Sequence, residues 1–138
     1  MKIFANHAHV FRRDQRADGT VSALLEVMDK TGIEKCVCFA PFYEWGLDYN
    51  PNLCMAEELK AHPELTGFGV VDIHGQDLAG QVRQIRELGL KGIKLHPAFQ
   101  KFAIDGPEAF QVYAAAQEAG LFLSFHTGVH WHRIKDYQ

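Results

Sequence analysis

The segment K-I-F-A-N-H-A-H-V-F-R-R-D-Q, residues 2–15, decides between the folds open to this chain. A short β-rich run passes straight into a polar stretch holding two histidines and two arginines. It has no glycine-rich turn to cradle a phosphate at a helix start, the device that opens many doubly wound sheets. Outward from it, apolar β-rich runs predict strands over Lys2–Asn6, Glu34–Ala40, Leu65–Val71, Gly92–His96 and Leu121–Phe125. Helical periodicity fills the gaps. Val21–Lys30 carries Val21, Leu24, Leu25 and Met28 on one face, and Leu78–Leu88 repeats Leu78, Val82, Ile85 and Leu88 behind a cap at Asp77. Asn52–Ala61 predicts a helix between Asn50-Pro51 and His62-Pro63, and a fourth runs from Pro107 to Ala119, closed by Gly120.

Strand and helix therefore alternate at about 30 residues per unit, the signature of a parallel sheet built from right-handed crossovers. Residues 1–138 read as one α/β domain without linker or low-complexity tract. An open doubly wound sheet is complete at this length, whereas an eight-unit barrel needs about 250 residues. Length favours the open sheet; the loop after the first strand favours the barrel.

Composition narrows the function. Apolar residues make up 47% and charged residues 22%, enough for a packed core and too apolar for a disordered chain. No apolar run approaches the roughly 20 residues of a membrane span, and the start lacks the pattern of a signal peptide. A net charge of −3 with no basic cluster argues against nucleic acid and anionic membrane. Cys36 and Cys38 alternate on an apolar strand and, with Cys54, read as reduced residues of a cytoplasmic protein.

Histidine is the outlier, with eight copies. His7 and His9 follow the first predicted strand, His74 the third, His96 the fourth and His126 the fifth. The carboxyl ends of parallel strands form the ligand-binding face, so five histidines gather there. One residue apart on extended chain, His7 and His9 share a face and can lean onto one ion, and neutral imidazole suits zinc. Alternation puts Ser124 with His126, and Lys94 with His96. Burying an unpaired ammonium is expensive, so Lys94 reads as a cation for a substrate carboxylate or as a modified ligand. His62 reads as a solvated cap. His130 and His132 form a second His-x-His pair in a predicted loop, open to substrate contact or, less readily, to metal, and Arg12 and Arg13 could meet an anion.

His7-Ala8-His9, Gly92-Ile93-Lys94-Leu95-His96-Pro97 and His126-Thr127-Gly128, in order along the chain, resemble the amidohydrolase-related family. This is the branch that also holds aminocarboxymuconate-semialdehyde decarboxylase and related aromatic-acid decarboxylases. The resemblance implies a TIM-type (β/α)8 barrel, of which this chain supplies the first five strands as an open, incomplete barrel. It implies metal ligation by His7, His9 and His126, substrate binding by Lys94 and His96, and a divalent cofactor, usually zinc. Two departures stand out. Ala5 takes the place of a frequent family Asp. The family's catalytic His after the sixth strand and metal-binding Asp after the eighth would lie beyond Gln138.

The expected function is metal-dependent hydrolysis, with metal-activated water attacking the carbonyl of a small-molecule amide or ester. The alternatives are non-oxidative decarboxylation by the same family, or a non-catalytic open module that holds a metal or anion. As part of a longer barrel, the isolated chain should bind metal weakly and turn over little. Its strands should lie in the order 1-2-3-4-5, leaving two edges that also admit self-association into a homo-oligomer.

Overall fold

The computed structural model describes residues 2–128, so His130 and His132 lie outside the described residues. Five parallel strands form one sheet: β1 (Ile3–His9), β2 (Ile33–Phe39), β3 (Leu65–Gly69), β4 (Gly92–Leu95) and β5 (Phe122–Phe125). Their order is β1-β2-β3-β4-β5, so each unit packs beside the one before it and the sheet is an open half-barrel. The 2-1-3-4-5 order of a doubly wound sheet is absent.

The main connecting helices are α1 (Val21–Thr31), α2 (Pro51–Leu59), α3 (Leu78–Glu87) and α5 (Pro107–Ala119), with a short α4 (Pro97–Gln100) directly after β4. Local chemistry fixes their ends. Thr20, Asn50 and Asp77 accept hydrogen bonds from first-turn amides, satisfying donors that a helix start leaves orphaned. Gly120 ends α5 at φ 66°, a left-handed conformation that costs glycine little.

The core lies between the sheet and the helices. Cys36, Cys38, Val70, Val71, Val82, Ile85, Ile93, Leu95 and Val112 are fully buried there. All three cysteines are free thiols, and burial pushes Cys38 up to about 12, so it packs as a small apolar group. The opposite, inner face of the sheet carries Phe39 and Lys94. At the two sheet edges, Phe4 is 59% exposed and Phe122 71% exposed, as expected where the arc stays open.

β1 departs from regular alternation in a way that matters for the histidines. Ala5 pairs with Cys36 and Ala8 with Cys38, three residues against two, so an extra residue is accommodated between them. Both alanines pack on the helix-side core, although residues three apart in a regular strand point to opposite faces. This β-bulge returns His7 and His9 to the inner face, next to Phe39. They lie inside the strand, at its carboxyl end, rather than in the loop after it. The expected boundary fell short because Asn6 and the histidines are poor strand formers that tertiary pairing with β2 overrides.

Candidate metal centre

The inner face near the carboxyl ends of β1, β4 and β5 holds the residues singled out by sequence. His7 Nε2 and His9 Nε2 lie 3.1 Å apart. Two nitrogens bound to one tetrahedral zinc at 2.0–2.1 Å are about 3.3 Å apart, so the pair already has the spacing of one edge of such a site. The Phe39 ring supports both imidazoles, at 4.6 Å from His7 and 5.6 Å from His9.

Their electrostatics suit ligation. Burial, then His7, Lys94 and His126, drive His9 down to about 4. Burial, then Lys94 and His126, also lower His7. Both rings are therefore neutral at pH 7 and offer lone pairs, the form a divalent cation needs. The same influences place Lys94 and His126 on the electrostatic neighbourhood of the pair. His9 Nδ1 is buried without a hydrogen-bond partner among the described residues. Among the described residues, no acceptor thus orients that imidazole from its far nitrogen, as one usually does for a metal ligand.

Lys94 is 2% exposed, with its ammonium 4.6 Å from the centre of the Phe39 ring. Burial lowers its pKa, and no carboxylate among the described residues offsets the cost.

His96 and His126 form a second pair, rings stacked at 3.9 Å and 8° from parallel. The register Lys94↔Ser124 puts Ser124 on the Lys94 face, and His126 two residues on continues that side. His96 Nδ1 accepts from Phe99 N at 3.2 Å and so caps α4, which assigns the ring proton to Nε2. The histidines thus stand as two pairs, His7–His9 and His96–His126. Among the described residues, no three His, Cys, Asp or Glu side chains are gathered as an ion-binding cluster.

Other candidates go elsewhere. His74 Nε2 is 2.7 Å from the Gln100 carbonyl, and His62 pairs with Glu64 at 3.3 Å. Arg12 bonds Asp14 at 3.0 Å and lies over the Tyr49 ring, while Arg13 is exposed. Sequence reasoning missed an aromatic wall beside the site. Phe11, near His9, stacks on Trp45 at 5.3 Å, and Trp45 meets Phe42 and Phe99, which flank His96. Phe11 lies two residues from His9 and Phe99 three from His96, a spacing that could have marked them.

A family model described as amidohydrolase matches residues 7–135, from the first of the paired histidines almost to the end of the chain. The chain belongs to the amidohydrolase family. Solved structures agree on the fold. A candidate amidohydrolase from Staphylococcus aureus superposes with a TM-score of 0.73 at 16% identity, over 99% of this chain and 51% of that one. An uncharacterised TIM-barrel protein from Bordetella bronchiseptica gives 0.73 at 19% identity, over 94% and 57%. A probable 2-pyrone-4,6-dicarboxylic acid hydrolase from Acinetobacter baumannii, with citric acid bound, gives 0.66 at 18% identity, over 92% and 50%. This amidohydrolase chain spans about half the length of these structures. No curated protein matches it. No helix among the described residues is long and apolar enough to cross a membrane.

Proposed function

We propose that this amidohydrolase chain carries the metal-holding half of a hydrolase active site for small molecules bearing a carboxylate. The observation that carries the reading is the His7–His9 nitrogen pair, 3.1 Å apart on the inner face. Those two imidazoles would hold a divalent ion, most simply zinc, with His126 as the further ligand from β5. Held there, such an ion would supply Lewis acidity toward a bound water or carbonyl.

The chain's own residues do the rest. Lys94, a buried ammonium without a carboxylate partner among the described residues, binds the substrate's negative charge, because that pairing relieves its desolvation. His96, with its proton assigned to Nε2, donates a hydrogen bond to a substrate oxygen. The Phe11–Trp45–Phe99 wall limits water on one side of the site. The free thiols support a cytoplasmic setting. With β1 and β5 as open edges, the isolated chain stays far below ordinary enzyme rates of about 1–10³ per second.

Lys94 also supports a second reading, non-oxidative decarboxylation, since a buried cation suits an acid substrate for either chemistry. The test is a panel of carboxylate-bearing amides, esters and aromatic acids, assayed with and without Zn2+. Metal-dependent release of amine or alcohol supports hydrolysis, and release of CO2 supports decarboxylation. Turnover that persists undiminished in a His7→Ala/His9→Ala variant counts against both.

A further inference from the structure

The segment leaving β3 is held in an unusual way. β3 pairs with β4 only at Phe68↔Gly92 and Gly69↔Ile93, yet the chain runs on through Val70 and Val71, both fully buried. Buried peptide groups need partners, and here three side-chain amides supply them. Asn52 takes both groups of Val70: its Nδ2 donates to Val70 O and its Oδ1 accepts from Val70 N, each at 2.8 Å. Gln81 does the same for Asp72, accepting from its N at 2.8 Å and donating to its O at 3.2 Å. Between them, Gln100 Nε2 donates to Val71 O at 3.0 Å.

Gln100 differs from the other two because it also reaches the histidines. Its Oε1 accepts from His96 N at 2.9 Å, so one amide bridges the exits of β3 and β4 where the backbone ladder has stopped. Its Nε2 also reaches Glu44 at 3.2 Å, and its own carbonyl lies 2.7 Å from His74 Nε2. The residue is 1% exposed. A side-chain amide has a peptide's donor and acceptor, and here it acts as a missing rung of the sheet.

We propose that Gln100 is a positioning residue that sets His96, and through the ring stack His126, in the site. This rests on the reading that those two histidines belong to the functional site. Asn52 and Gln81 hold the same segment without a bond to His96, so they separate positioning from plain structural support. Gln100→Met keeps size and removes all three side-chain amide bonds, so His96 N loses its acceptor while its carbonyl keeps the bond from Gln100 N. Gln100→Glu keeps an acceptor for His96 N but turns an oxygen toward the Val71 carbonyl and Glu44, so it costs more than one lost donor.

The experiment is histidine-ring NMR of the full chain at neutral pH without metal, alongside thermal melting of each variant. Stacked rings shift each other's C–H resonances upfield. The expected result is loss of that shift for His96 and His126 in Gln100→Met, and its retention in Gln81→Met at a comparable fall in Tm. Should Gln100→Met not fold, Gln100→Glu is expected to keep the shift while melting lower. The proposal is overturned if Gln100→Met keeps the shift, if Gln81→Met loses it equally, or if Gln100→Glu loses it while still melting cooperatively. None of these readouts involves a metal or substrate. Failure here therefore leaves the metal reading standing, and failure of a zinc titration leaves this one standing.

Discussion

Single residues carry the proposed chemistry, and two of them cost stability, His9 in acid and Lys94 at neutral pH. His9 titrates near 4 in the folded chain against about 6.5 unfolded. Between those values the unfolded chain binds the proton and the native one does not, so stability rises with pH across that window. Stability is complete above about 6.5 and falls by roughly 2–3 kcal/mol on acidification to about 4. Denaturant melts between pH 4 and 7 check this, and His9→Gln is expected to flatten the profile. Lys94 opposes folding through its buried charge. Lys94→Met is expected to stabilise the fold by about 1 kcal/mol in a denaturant titration, because a similar-sized apolar group needs no water. The same substitution should abolish carboxylate binding, the usual exchange between stability and function. These residues were legible because imidazole and ammonium at strand ends have few structural uses. The amides of Asn52, Gln81 and Gln100 were not, since nothing local says that a glutamine will bond a strand exit. The His96–His126 stack was equally hidden, because sequence alternation names a shared face and not which rings touch.

At the scale of elements, periodicity located five strands and four helices to within a few residues. It failed where geometry became irregular. Strict alternation from Phe4 would send His7 and His9 to the helix side, and only the bulge between Ala5 and Ala8 turns them inward. Deleting Asn6 removes the extra residue and should leave both histidines facing inward. The chain is then expected to keep the His7–His9 contact, which histidine NMR reads directly. α4 also escaped notice, since its four residues show no period and its cap is a histidine. The tightest strand contact is at Gly92. A Cβ there would overlap the Phe68 ring and lie 2.7 Å from the Phe122 carbonyl oxygen. Both neighbours are held by the sheet, so Gly92→Ala is expected to cost about 1–3 kcal/mol, measured as a lower denaturation midpoint at unchanged slope.

For the whole molecule, the sequential strand order decides between the two architectures that length alone left open. The loop after β1 was the better guide, because a phosphate-binding turn is a local device whereas length depends on how much of a barrel a chain supplies. The arc leaves Phe4 and Phe122 exposed on its edge strands, β1 and β5. It also puts His7 and His9 on one edge strand and His126 just past the other. The proposed metal site, shared across that opening, would draw the two edges together, so zinc is expected to raise Tm as well as bind. The most direct test is X-ray absorption at the zinc edge on the protein loaded with one equivalent of Zn2+. The account predicts two or more imidazole nitrogens at about 2.0–2.1 Å, a signal lost in His7→Ala/His9→Ala. An imidazole signal unchanged in that double variant, or zinc bound by sulfur at about 2.3 Å, would contradict it.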